Sequence, residues 1–213
     1  MGHVRLNDGL KSQIRQRVFA PFETRISTLV TEISNNHSIA TEFYFAAISR
    51  EEYDLTQKLM ALGGSKRQWF RGMDELRVTI RDEVGNHQFQ LKLGREYPMP
   101  MNHSTWSPFI AITHASHPSL YALVKEPLEK IRRLHADRDN LDKDLLKPVF
   151  QNCNTVKQAT KLWPSIVDFL PPEALETYRS RPSQSPRQQV DLEGVAISDD
   201  AKQLLAKARM LTN

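Results

Sequence analysis

A single cysteine, Cys153, leaves the chain unable to close a disulfide within itself or to build a metal centre that needs two thiolates, so a reducing compartment is the expected setting. No apolar run approaches the roughly 20 residues that a bilayer span requires. The opening stretch MGHVRLNDGL lacks the apolar core of a secretion signal, so neither membrane insertion nor export by a cleaved signal is expected. Charge of one sign is scarce in surplus: 29 Lys+Arg against 25 Asp+Glu leave +4, too mild to mark a nucleic-acid binder by itself. Gly-x-Ser-x-Gly, Gly-x-Gly-x-x-Gly and His-Glu-x-x-His are all missing, and with them the usual signatures of a hydrolase elbow, a dinucleotide fold and a zinc protease. What is present is 39% hydrophobic and 25% charged residue in a chain of 213, which supports one packed domain with an appendage and argues against a disordered chain.

Periodicity divides the chain. Leu10, Ile14, Val18, Phe22, Ile26, Leu29, Val30 and Ile33 recur every three or four residues and predict an amphipathic helix over Leu10 to Asn35, with a kink or break at Pro21. A second helical run covers Ile39 to Leu62 and stops at Gly63-Gly64. Inside it Ser49-Arg50-Glu51-Glu52 has the Ser-x-x-Glu form of a capping box, which predicts a restart with Ser49 as N-cap. From Glu75 to Leu93 the period falls to two. Leu76, Val78 and Ile80 alternate with Arg77, Thr79 and Arg81, and Phe89, Leu91 and Leu93 with Gln88, Gln90 and Lys92; this predicts a hairpin turned by Gly85-Asn86. Phe109 to Thr113 is the candidate third strand.

The longest regular feature runs from Ser119 to about Asn152. Leu120, Val124, Pro127, Ile131, Leu134, Arg138, Leu141, Leu145 and Pro148 alternate by four and three and trace a heptad seam between densely charged flanks. So narrow a stripe calls for a partner helix. The N-terminal helix is the candidate, as an antiparallel pair, with self-association through the long helix as the other option. Thr155-Val156-Lys157-Gln158 reads as a capping box for a short helix ending at Leu162-Trp163. Residues 176–196, rich in Ser, Pro and Arg, read as an extended linker, and 197–213 as a C-terminal helix whose apolar stripe includes Leu204, Leu205 and Leu211. The expected fold is α+β and mainly α: a long helical hairpin with a small antiparallel sheet forms one domain over 1–175 and carries that appendage.

Few residues converge on chemistry. His114-x-x-His117, with Cys153 as a distant third ligand, is the nearest approach to a metal site, but nothing accompanies it, and neither metal nor cofactor is expected. Gly63-Gly64-Ser65-Lys66 looks like the end of a phosphate loop, yet a helix precedes it where a strand is required, so it reads as a helix C-cap. Lys66, Arg67, Trp69 and Arg71 interleave cations with an aromatic ring, and Arg179, Arg181 and Arg187 gather toward the tail. Both groups suit contact with phosphates and stacked bases, or equally a solvated surface beside a buried ring. Trp163 and Pro164 read as a structural anchor between the short helix and the long one.

The order of hairpin, loop, His117-Pro118, long charged helix, then Thr155-Val156-Lys157-Gln158, Leu162-Trp163-Pro164 and Phe169-Leu170-Pro171, resembles the fifth of the nucleotide modification associated domain families, encoded mostly by bacteriophages and prophages. The resemblance covers about residues 5 to 175. It implies a phage origin, hence the host cytoplasm or the virion, and a link to DNA base modification without specifying a reaction. The expectation is therefore a non-enzymatic accessory protein that engages a phage or host protein or nucleic acid. A base-modifying or nucleotide-handling enzyme and a virion structural protein stand as the alternative classes.

Overall fold

In the computed structural model the described residues are 4–62, 71–72, 74–83, 85–93, 97–99, 109–180 and 199–211. The fold is α+β and mainly helical. Packing groups the chain into two compact units, 1–26 with 132–213, and 27–131. Both boundaries fall inside helices, which is why no turn or composition change announces them.

In the first unit, helix α1 (Asp8–Ser34) begins where the Asn7 side chain accepts the Leu10 amide at 2.8 Å. The expected break at Pro21 does not occur: α1 continues through it for 27 residues. Proline removes one backbone hydrogen bond, and burial of Val18, Pro21 and Phe22 on one stripe offsets that loss. Helix α4 (Pro118–Leu141) passes into a five-residue π-helical segment (Asp142–Leu146) and then into α5 (Lys147–Asn152). The Arg15 guanidinium meets the Asp142 carboxylate at 2.8 Å, and Arg138 lies 5.8 Å over the Phe19 ring. Four residues up one helix match four residues down the other, so the pair is antiparallel.

The expected seam holds at Leu134, Leu141 and Leu145 and shifts beyond them. Val149, fully buried, takes the place assigned to Pro148, and Leu146 joins Leu145 inside. The π segment is the cause: its wider turn, closed by Lys147 N–H to the Asp142 carbonyl, absorbs one extra residue and relieves the crowding of Pro148 against the turn before it. Arg138 is half-buried beside Phe19 and is not part of the apolar row.

Helix α6 (Val156–Leu162) starts at the expected capping box. Gln158 N–H donates to Thr155 Oγ1 at 3.2 Å, and Gln158 Oε1 accepts the Thr155 and Asn154 amides at 3.2 and 2.9 Å. The N-terminus pairs there too, through Leu6 N–H to the Asn154 carbonyl and Val156 N–H to the Val4 carbonyl, both 2.9 Å. A 3-10 turn (Pro164–Phe169) leads to α7 (Pro172–Ser180). Because Tyr178 is buried, the helix carries through residues 176–180, which had been expected to open the linker. Helix α8 (Asp199–Met210) docks on this unit, with Ala201, Leu205 and Ala208 buried and Lys207 paired to Asp137 of α4.

The second unit holds α2 (His37–Ala47) and α3 (Arg50–Ala61). Ser49 caps α3 as expected, its Oγ accepting the Glu52 amide at 3.1 Å. Strands β1 (Arg71–Gly72) and β4 (Pro98–Met99) form a short antiparallel ladder. Strands β2 (Glu75–Arg81), β3 (Asn86–Lys92) and β5 (Phe109–Thr113) form a sheet in the order β3-β2-β5. The hairpin pairs antiparallel with Arg81 opposite Asn86, whereas β5 joins β2 in parallel, so the sheet is mixed. Gly85 turns the hairpin at φ +154°, a conformation only glycine adopts without strain, while Asn86 already belongs to the strand. Helix α2 covers β3 and β5, and its buried Tyr44 meets the Tyr97 ring edge-on at 4.8 Å. The Tyr97 hydroxyl hydrogen-bonds Thr41 at 2.7 Å, and Arg50 lies 4.5 Å over Phe45. In α4 the buried member is Leu128 and not Pro127, which remains half-buried, so the seam is offset by one residue here as well.

Candidate functional site

Alternation across the sheet gives it two faces of opposite character. Leu76, Val78, Ile80, Phe89, Leu91, Ile110 and Ile112 are buried on one. The other carries a ladder of polar pairs: Glu75 opposite Lys92, Arg77 opposite Gln90, Thr79 opposite Gln88, and Arg81 opposite Asn86. All of these are exposed except Thr79, which is 5% exposed and forms the floor. Val30 and Ser34, from the last turns of α1, stand beside them and complete a groove of about 490 Å³ with Arg77, Thr79, Gln88 and Gln90.

Three cations, Arg77, Arg81 and Lys92, share this face with one carboxylate, Glu75. Arg77, Gln88 and Gln90 have no side-chain partner among the described residues. A guanidinium offers a planar fork of donors matched to phosphate oxygens, and each carboxamide offers both a donor and an acceptor, which suits the edges of bases. Backbone pairing on both sides of β2 holds these groups at fixed spacing. Their signal was present in the sequence as the polar half of the period-two pattern, which reads first as a solvent-facing ladder.

Of the residues singled out by sequence, those that are described do not line this groove. Lys66, Arg67 and Trp69 lie outside the described residues, as do Arg181 and Arg187; Arg71 opens β1. Arg179 is exposed in the last turn of α7. On α8, Leu205 turns inward and Leu204 is half-buried, as is Leu211 just past the end of the helix. Trp163 is 3% exposed at the end of α6 with its ring 5.5 Å from Phe169, and Pro164 is exposed beside it.

The histidine pair is engaged locally. His114 meets the Tyr121 ring edge-on at 5.4 Å, and His117 Nδ1 lies 2.9 Å from Ser116 Oγ. Among the described residues no three His, Cys, Asp or Glu side chains gather as a metal set, and no helix is long and apolar enough to cross a membrane. Burial pushes the Cys153 thiol up, which keeps it protonated and poorly nucleophilic. Burial, reinforced by Tyr53, Glu52 and Tyr97, likewise raises Tyr44. Compared with protein-family models, curated proteins and solved structures, the chain matches none.

Proposed function

We propose that the chain is a phage-encoded, non-enzymatic accessory protein of the host cytoplasm that contacts single-stranded nucleic acid through the polar face of its small sheet. The observation that carries this reading is the groove in which Arg77, Gln88 and Gln90 line one side and Val30 and Ser34 the other. Cations set spacing on a phosphate chain, carboxamides address exposed base edges, and a strand scaffold fixes both. The resemblance to the phage-encoded nucleotide modification associated family supports the origin and the link to nucleic acid. Lys66, Arg67, Trp69 and Arg71, which precede these strands in the sequence, offer a ring for stacking and further charge.

Fluorescence anisotropy of a labelled single strand at about 50 mM salt tests the reading, because phosphate contacts weaken steeply as salt rises. Arg77→Ala is expected to weaken binding uniformly across sequences and to flatten the salt dependence by about one unit of slope. Trp69→Ala is expected to cost about 1–3 kcal/mol if its ring stacks on a base. Absence of binding at low salt would remove nucleic acid, and recovery of a phage or host protein with the chain would move the reading to a protein partner.

A further inference from the structure

A second cleft, of about 310 Å³, lies within the first unit between the start of α1 and α5. Its lining includes Lys11, Ser12 and Arg15 from α1, with Lys147, Phe150 and Gln151 from the facing helix; Asp8 sits at one edge. We propose that this cleft binds the phosphate group of a small phosphomonoester.

Arg15 is the organising residue. Its Nε donates to Asp142 at 2.8 Å, and its guanidinium lies 5.7 Å over the Phe150 ring, so the plane is held from two sides. The terminal amines have no partner among the described residues, and the side chain remains 39% exposed. Lys11 stands one turn earlier on the same face of α1 and also lacks a partner there. Lys147 comes from the opposite wall, 3.5 Å from the second oxygen of Asp142 and 57% exposed. The π segment sets this arrangement, since its extra residue places Asp142 and Lys147 on the same side of the wider turn.

Three cations against the carboxylates of Asp8 and Asp142 leave one uncompensated positive charge. A phosphomonoester dianion meets that surplus with three oxygens, one toward each cation, while Ser12 and Gln151 offer neutral donors. A carboxylate has two oxygens and cannot address donors on both walls equally. The volume sits at the small end of ligand sites, which fits a phosphate with a modest organic body.

The test uses the full-length, isotope-labelled chain at about 0.1 M salt, titrated with inorganic phosphate, with a nucleoside 5′-monophosphate and with the unphosphorylated nucleoside. Saturable shifts of amides in 8–15 and 147–151, half-complete below about 5 mM, are expected with phosphate and the monophosphate but not with the nucleoside. Monophosphate binding at least roughly tenfold tighter than phosphate assigns the group to a carried phosphate, and equal binding assigns it to the free ion. Lys11→Gln with Lys147→Gln removes no fully engaged side chain, so it should weaken binding roughly tenfold at unchanged melting temperature. Arg15→Lys keeps the charge but loses the fork and should weaken it severalfold. Shifts that do not saturate, or that persist unchanged in the double variant, would overturn the assignment.

Discussion

Trp163 shows how a single residue can be central to packing and indifferent to hydrogen bonding. Its indole is 3% exposed, yet Nε1 has no acceptor among the described residues. Trp163→Ala should cost about 3–5 kcal/mol through the cavity it leaves, whereas Trp163→Phe should cost far less, because it deletes an unsatisfied donor along with part of the ring. Chemical denaturation of the two variants gives the comparison, and equal losses would mean that the N–H is engaged. Gly85 is the reverse case. Nothing lies within 4 Å of the position a Cβ would occupy, so Gly85→Ala should cost about 1–3 kcal/mol through backbone strain alone. Cys153 adds a pH dependence: its folded-state pKa is raised by burial, so the stabilisation is fully present below the ordinary thiol value and is lost as pH climbs past about 8.5. Melting curves of the wild type should steepen their decline with pH there relative to Cys153→Ala.

At the scale of the element, the π segment separates two kinds of helical residue. Because it is in effect one extra residue inside an α-helix, deleting the exposed Lys143 should convert it to regular helix and leave Leu141 and Val149 on their buried faces. Deleting Lys130, in the regular part of α4, turns everything beyond it by about 100° and should prevent folding. Circular dichroism and thermal melting distinguish the two, and equal damage would show that the π turn carries more than register. Local signals made the caps readable: Ser49 and Thr155 each begin their helices by bonding amides in their own turn. The seam was readable only to within a residue. Pro127 and Pro148 fit its spacing, but Leu128 and Val149 fill the interior, since helical drift and the π turn rotate the buried row away from a strict heptad.

For the molecule as a whole, α8 is the element whose place has the largest consequence. Its inward stripe is Ala201, Leu205 and Ala208, a small-large-small row that lets the helix approach closely. Truncation after Ser180 should therefore lower the melting temperature by several degrees, and Leu205→Asp should do the same in the full-length chain. Asp137→Ala, which removes only the partly exposed pair with Lys207, should change stability by about 1 kcal/mol or less. An unchanged melting temperature after truncation would show that α8 contributes little to the first unit.

What the sequence determined by itself is whatever depends on neighbours within a few positions: the helical and strand periods, the capping residues, the turn at Gly85 and the mainly helical class. What only tertiary structure decided depends on groups far apart in the chain. The parallel seating of β5 on β2, the survival of α1 through Pro21, the inward face of α8 and the two clefts all arise where separate segments meet. The candidate site illustrates the division. Arg77, Gln88 and Gln90 were visible as the polar half of an alternating pattern, but that pattern is the same whether the face is bare or walled. Val30 and Ser34, more than forty positions before them, turn the ladder into a groove, and no local property of either stretch encodes that meeting.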